Sequence, residues 1–377
     1  MKAAMLLGHG GLHQLVYRED VPPPTPAPGE VLVRVAAAAV NNTDINLRTG
    51  WYSRTAAATS AAAGNPGLSA EDGGWAGDAV SFPRIQGADA CGYIEGVGAG
   101  VDTRRLHERV LIDPIIRMSD GSVRYFGSDT PGAFAEFVAV PAANAIAIRS
   151  SLTDEDLASF PCSYLAAENM LTRAGVSRAD AILVTGASGG VGSAAVQLAR
   201  RRGARVHAVA DPAKAAAILS LGASTVVPRD ADLVAEFTRE SIDVVIDVVG
   251  GAHFPQLLSI LRRYGRYACA GAIAGPRVEL DLRTLYLKDL RLLGCTIPDP
   301  EIFRSLLGYI EREEIRPLVS AIYPLREIAA AQTAFLSKQH VGKIVLVPSR
   351  DIAAGGHGRR SFGTTDRMIR EGMSGVE

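Results

Sequence analysis

The chain has 377 residues, with 39 Lys and Arg against 40 Asp and Glu, a formal charge of −1 and 47% hydrophobic residues. That balance excludes the basic footprint of a nucleic-acid binder, and no apolar run approaches the length that crosses a bilayer. The length favours two domains over one core, and Cys91, Cys162, Cys269 and Cys295, far apart and without a C-x-x-C pair, read as reduced thiols of a cytoplasmic protein.

The opening MKAAMLLG meets glycine too soon for a signal peptide and reads as a first strand. Residues 2–7, 30–40, 90–97 and 109–112 are β-type runs separated by turns, and PPPTPAPG at 22–29 is a stiff connector. Gly92, Gly96, Gly98 and Gly100 are spaced as in a tightly curved barrel wall. Residues 1–160 therefore read as a β-barrel-like domain. Residues 54–81, rich in Ala, Gly and Ser, do not fit a compact barrel and read as a surface loop, either a lid or an insertion without a role.

The most informative stretch is AILVTGASGGVGSAAVQLAR at 181–200. Residues 181–185 form a short apolar run suited to a strand buried on both faces, and 193–200 have helical spacing. Ala187, Gly189 and Gly192 occupy the three places of a dinucleotide fingerprint, with alanine in place of the first glycine. Together with Ser188, Gly190 and Val191 they form the turn expected to hold a pyrophosphate against the N–H groups and dipole of the following helix. A second strand at 205–210, a helix opening at Asp211-Pro212 and a helix at 214–221 complete the βαβ unit that such a turn requires. This predicts an α/β, doubly wound parallel sheet of the Rossmann type; a tight βα turn without a ligand is the alternative.

The α/β rhythm continues with strands at 243–249, 267–271 and 290–295, a helix at 301–314 and a last strand at 343–347 that returns to the first domain. The expected organisation is 1–160, 161–297 and 298–348, followed by a frayed polar tail at 349–377. The stretch VELDLRTLYLKDLRLLG at 278–294 alternates apolar and polar residues near the expected edge of the sheet, and predicts a homodimer paired along that edge.

Several segments carry a family resemblance in the family's own order: VNNTDINLRTG at 40–50, FPRIQGADACGYIEGVGAGV at 82–101, FPCSYLAAENML at 160–171, the glycine turn, DVVIDVVGG at 243–251 and HVGKIVLVP at 340–348. Over residues 1–348 the chain resembles the medium-chain dehydrogenases/reductases, and within them the zinc-less quinone oxidoreductase group that includes ζ-crystallin. The resemblance implies a GroES-like β-barrel domain, an inserted Rossmann domain and a C-terminal return to the barrel. It also implies no zinc. Where the zinc-dependent branch holds its catalytic metal, this chain has Asn41, Ala88 and Cys162, and a site that needs three protein ligands cannot be built from one soft ligand. The four-cysteine structural lobe is missing as well, since no Cys lies between Cys91 and Cys162.

Without a metal to polarise a carbonyl, acceptors that take a hydride readily are favoured, which points to quinones and α,β-unsaturated carbonyls. The resemblance places Asn41 on the substrate side of the nicotinamide with Asp44 nearby. Asn46 stands where a tyrosine is frequent and cannot act as a phenolic proton donor; Tyr52 or Tyr164 are the candidate replacements, against the plain alternative of half-buried aromatics. Asp89 is left unassigned between a functional and a structural carboxylate.

Asp211, 24 residues after Ala187, is placed to bind the ribose of NAD but serves equally as a helix cap. The basic pattern of the resembling reductases maps to Ala210, Lys214, Arg229 and Lys338, and three cations against one carboxylate favour NADPH over NADH. Gly271, after a later strand, is a further expected cofactor contact. The functional expectation is a zinc-independent, NADPH-dependent oxidoreductase of a small quinone or enone; the alternatives are an enoyl-thioester reductase and a non-catalytic nucleotide-binding protein.

Overall fold

The computed structural model describes residues 1–53 and 74–348; the loop expected at 54–81 lies partly, and the tail at 349–377 wholly, outside the described residues. The first part of the chain forms β1 (Ala3–Leu6), β2 (Leu15–Arg18), β3 (Glu30–Ala39), helix α1 (Asn42–Thr49), β4 (Arg84–Ile85), β5 (Cys91–Val97), β6 (Arg109–Ile112), β7 (Ile115–Arg117), β8 (Val123–Tyr125), β9 (Phe137–Pro141) and β10 (Ala145–Ala147). Strand β3 organises this half. Its side chains alternate between buried and half-exposed, as a strand with one face on a core requires, and it pairs antiparallel with both β5 and β9. Val31, Val33 and Val35 are its fully buried face.

Next come α2 (Asp154–Leu157), α3 (Pro161–Arg173), β11 (Ala181–Val184), α4 (Gly190–Arg201), β12 (Arg205–Val209), α5 (Ala215–Ser220), β13 (Thr225–Val227), α6 (Leu233–Phe237), β14 (Ile242–Asp247), α7 (Phe254–Ile260), β15 (Leu261–Cys269), α8 (Leu282–Leu287) and β16 (Arg291–Gly294). The strands make one six-stranded parallel sheet in the order β13-β12-β11-β14-β15-β16. The direction of winding reverses between β11 and β14, and the crevice at the carboxyl ends of those two strands is where such sheets bind ligands.

Within the alternating stretch at 278–294, the strand expected at 290–295 forms as β16, and the residues before it fold differently. Asp281 accepts the N–H of Arg283 at 2.9 Å and caps α8, so residues 282–287 are helical, while β16 alone forms the sheet edge. A local cap here outweighs a period-two pattern. Leu282, Tyr286 and Leu287 of that helix are 63%, 62% and 58% exposed.

The described residues end with α9 (Pro300–Glu311), β17 (Val319–Pro324), α10 (Ile328–Leu336) and β18 (Lys343–Val347). Strand β18, buried throughout, pairs antiparallel with the end of β3 through Leu346 and Ala38, and so returns the chain to the first sheet. Just before it, the N–H of Gly342 reaches the carbonyl of Ser188 at 2.9 Å, which lays the returning segment across the glycine turn. No helix among the described residues is long and apolar enough to cross a membrane, and all four cysteines are free thiols.

Candidate active site

Two adjoining cavities, of about 410 and 370 Å³, open at the carboxyl ends of β11 and β14 and share Gly190 and Val191. The larger is built on the glycine turn. Ser188, Gly189, Gly190, Val191 and Gly192 line it, as do Lys214, Arg229 and Lys338, so the expected cofactor residues converge. Helix α4 starts at Gly190 and aims its first N–H groups at the cavity, the arrangement that holds a pyrophosphate. A Cβ on Gly192 would stand 2.2 Å from the carbonyl oxygen of Gly186, so no other residue fits there.

Ala187 departs from expectation. It is fully buried, its N–H bonds the carbonyl of Val209 at 3.1 Å, and it does not line the cavity. The left-handed residue that makes the turn tight is its neighbour Gly186, with φ 57°, which the fingerprint spacing overlooked. Gly271 lines the smaller cavity, beyond the shared turn residues.

At the far end of the larger cavity, charge is arranged unevenly. Asp211 accepts the N–H of Ala213 at 3.0 Å and an Arg229 Nη2 bond at 2.6 Å, so it caps the turn at Pro212–Lys214 and neutralises one cation. The Ala213 N–H and then Arg229 hold its carboxyl below the usual range. Lys214 donates only to carbonyls, those of Lys338 at 2.5 Å and His340 at 3.0 Å. Lys338 lies over the Phe335 ring and donates to Asn42 Oδ1 at 3.2 Å. Neither lysine has a salt-bridge partner among the described residues. Burial, then the charge of Lys214, pushes Lys338 down to about 8, and burial pushes His340 down to about 4. An anion is what this corner lacks.

The smaller cavity brings together Asn41, Asn46 and Tyr52 but not Asp44. Asp44 is buried and accepts the N–H of Asn41 at 2.7 Å, capping α1; burial pushes its carboxyl up to about 7. The expectation of a substrate-side carboxylate therefore gives way to a helix cap. Asn41 lines the cavity, yet its amide is fully engaged: Nδ2 donates to Asp89 at 2.8 Å and to the carbonyl of Ala39 at 3.2 Å, and Oδ1 accepts from Lys343 at 2.5 Å. Asp89 also accepts the N–H of Cys162 at 2.6 Å, which makes it a structural carboxylate.

Tyr52 donates its hydroxyl proton to Thr43 Oγ1 at 3.0 Å, and burial pushes the phenol up to about 12, so it stays neutral. With Tyr52 donating into Thr43, the Thr43 proton is free to point elsewhere, and Thr43 lines the cavity. Thr43 was not singled out from the sequence, although the hydroxyl in VNNTDIN was the available signal. Asn46 approaches the Tyr52 hydroxyl at 3.5 Å, and its buried Oδ1 has no partner among the described residues. Tyr164 is excluded from this chemistry because its hydroxyl bonds the Arg316 carbonyl at 3.0 Å and Gln197 at 2.9 Å, away from the cavity.

The residues at the metal position do not fit zinc. Ala88 offers no donor, and Cys162, which accepts a bond from Tyr125 at 3.1 Å, is held as a neutral thiol by burial, which pushes it up to about 12. The remaining oxygens, from Asn41 and Asp89, already face the ammonium of Lys343, which also reaches Ser163 Oγ at 3.1 Å. A cation of the protein's own is seated among those donors.

A reversing parallel sheet, a glycine turn at its switch point and an adjoining cavity with a hydroxyl pair define an oxidoreductase that binds a nicotinamide dinucleotide. The family models for an alcohol dehydrogenase GroES-like domain and a zinc-binding dehydrogenase match residues 27–150 and 190–312. A crystal structure from Sinorhizobium meliloti 1021, provisionally assigned as an alcohol dehydrogenase, is 48% identical, with a TM-score of 0.83 over 92% of this chain and 96% of that one. The acryloyl-coenzyme A reductase of Metallosphaera sedula is 28% identical over 92% of this chain and 99% of its own length. The quinone oxidoreductase of Rattus norvegicus is 26% identical over 92% of this chain and 98% of its own length. The chain belongs to the medium-chain dehydrogenase/reductase superfamily.

Proposed function

We propose that the protein is an NADPH-dependent reductase that delivers hydride to a quinone or an α,β-unsaturated carbonyl without a metal. The observation that carries this reading is the Tyr52–Thr43 hydroxyl pair on the wall of the cavity that Gly190, Val191 and Gly271 also line. When bound, the dinucleotide supplies the hydride. The chain's residues then have three tasks: the turn and Lys214, Arg229 and Lys338 hold the phosphates, Asn41 and its partners keep the cavity's shape, and Thr43 donates to the acceptor oxygen as negative charge develops on it. Tyr52, which stays neutral, keeps donating to Thr43 and so aims the Thr43 hydroxyl at that oxygen, while the proton that completes the reduction comes from solvent. The preference for NADPH is supported by a corner holding two lysines that have no salt bridge among the described residues, beside an Asp211 already paired with Arg229.

An enoyl-thioester reductase is the second reading, favoured by the similarity to acryloyl-coenzyme A reductases. Loss of NADPH absorbance with a quinone, an enone and an enoyl-CoA, each with and without a chelator, separates the two. Turnover only with the thioester overturns the first reading, and activity abolished by the chelator overturns its metal-independence. We further propose a homodimer joined along β16 and α8, where exposed Leu282, Tyr286 and Leu287 adjoin a sheet edge.

A further inference from the structure

The chain contains two tryptophans, Trp51 and Trp75, and both line the smaller cavity. Trp75 stacks on Tyr125 with ring centroids 4.7 Å apart and planes inclined by 27°. The pair is pinned from several sides. The Trp75 N–H bonds Ser128 Oγ at 3.2 Å, the Tyr125 N–H bonds Asp129 at 2.7 Å, and the Tyr125 hydroxyl bonds Cys162 Sγ at 3.1 Å. The stack held in this way gives the cavity a fixed aromatic wall, and a flat ring gains more from packing against aromatic rings than a short alkyl chain does.

Charge narrows the class further. Among the described residues Lys343 is the one charged side chain lining this cavity, and it is 3% exposed with its donors directed at Asn41, Asp89 and Ser163. Among the described residues no cation is left there for a carboxylate or phosphate, whereas Lys214, Arg229 and Lys338 line the neighbouring cavity. Anion recognition and acceptor recognition are thus separated, and burying an unpaired carboxylate in the smaller cavity is costly. The other polar side chains that line it among the described residues, Thr43, Tyr52 and Asn46 among them, are neutral.

We infer that the acceptor is a neutral molecule with an aromatic ring conjugated to its reducible carbonyl, the ring lying against the Trp75–Tyr125 wall and the oxygen at Thr43. This rests on the hydride-transfer reading above and narrows its substrate class. Three acceptors test it with NADPH: 4-phenyl-3-buten-2-one, its aliphatic counterpart 3-penten-2-one, and cinnamate, which keeps the ring but carries a charge. The expected result is a kcat/KM at least tenfold higher for the aryl enone than for the aliphatic one, and no turnover of cinnamate. Trp75→Leu is expected to collapse the aryl-to-aliphatic ratio, and Trp75→Phe to restore most of it. Because both tryptophans face the cavity, quenching of intrinsic fluorescence by the saturated ketone 4-phenylbutan-2-one reads ring binding without turnover. Equal kcat/KM for the two enones, or efficient use of cinnamate, overturns the inference and leaves hydride transfer standing. Saturable quenching with no reduction of any acceptor upholds the ring site and overturns the hydride-transfer reading instead.

Discussion

Lys343 Nζ lies 2.8 Å from Asp89 Oδ2, with the two side chains 3% and 0% exposed, and this contact ties β18 to the segment that leads into β5. Asp89 in turn receives the N–H of Cys162 at the start of α3, so one buried ion pair joins the barrel, the returning strand and the entry to the parallel sheet. Removing one partner leaves the other charge buried and unpaired. Lys343→Met is expected to lower stability by about 3–5 kcal/mol, and Lys343→Met with Asp89→Asn by less than the lysine change alone. Urea denaturation of the variants checks this; a double variant weaker than Lys343→Met shows that Asp89 matters chiefly as the cap of α3.

Gly192→Ala is expected to abolish dinucleotide binding, because its Cβ would meet the backbone of Gly186 and Ala187 at 2.2 and 2.7 Å. Backbone cannot yield as a flexible side chain does, so the turn itself must move. Gly189→Ala meets only the Gly186 carbonyl at 3.5 Å and is expected to fold normally while obstructing the pyrophosphate. Calorimetric titration with NADPH, beside a melting curve for each variant, distinguishes a broken turn from a blocked one.

Lys214→Ala with Arg229→Ala is expected to weaken NADPH roughly tenfold to several hundredfold and to leave NADH nearly unchanged, since NADH has no 2′-phosphate for them to hold. High salt should shrink the difference, because Arg229 is 63% exposed and screened. Asp211→Ala frees Arg229 and should leave NADPH binding intact or improve it. Equal losses for the two cofactors in the double variant, or a selective loss of NADH in Asp211→Ala, reverses the cofactor preference.

Affinity for NADPH is expected to fall as the pH rises through about 8. Burial lowers Lys338 to that value, so the ammonium is present at neutral pH and is lost in the free enzyme above it. Lys338→Met should bind more weakly at pH 7 and show no inflection near pH 8. His340, lowered to about 4, stays neutral across this range and contributes no step. A binding titration from pH 6.5 to 9.5 reads both effects.

The proposed dimer predicts that Leu282→Asp with Tyr286→Asp yields a monomer with an unchanged far-ultraviolet spectrum, since both side chains are more than 60% exposed and carry no fold of their own. Light scattering at micromolar concentration decides; a monomer before mutation removes the proposal.

How much of this was legible beforehand follows from the range of the forces involved. The strand at 181, the small-residue turn and the helix after it are dictated within some twenty residues by burial, left-handed backbone and helix-end electrostatics, and the parallel strands 205–209 and 242–247 announce themselves as short apolar runs. The fingerprint, the β-rich first half and the return at Lys343 could all be read along the chain. Helix α8 could not, because alternation at 278–294 fits two faces of a strand until the cap at Asp281 is seen to win.

The site divides along the same line. Residue types fixed that Ala88 donates nothing and that Asn46 is no phenol. Which carboxylate caps which helix was decided by tertiary structure alone: Asp44 turns back on Asn41, Asp89 reaches across 73 residues to Cys162, and Lys343 arrives from 254 residues away to join Asp89 and Asn41. The stacked Trp75 and Tyr125, 50 positions apart in sequence, carry no periodic signal that joins them. Local propensities are encoded in neighbouring residues, whereas burial, pairing and the sharing of a proton depend on which distant segments the closed sheets bring within 3 Å of one another, and a linear pattern does not contain that distance.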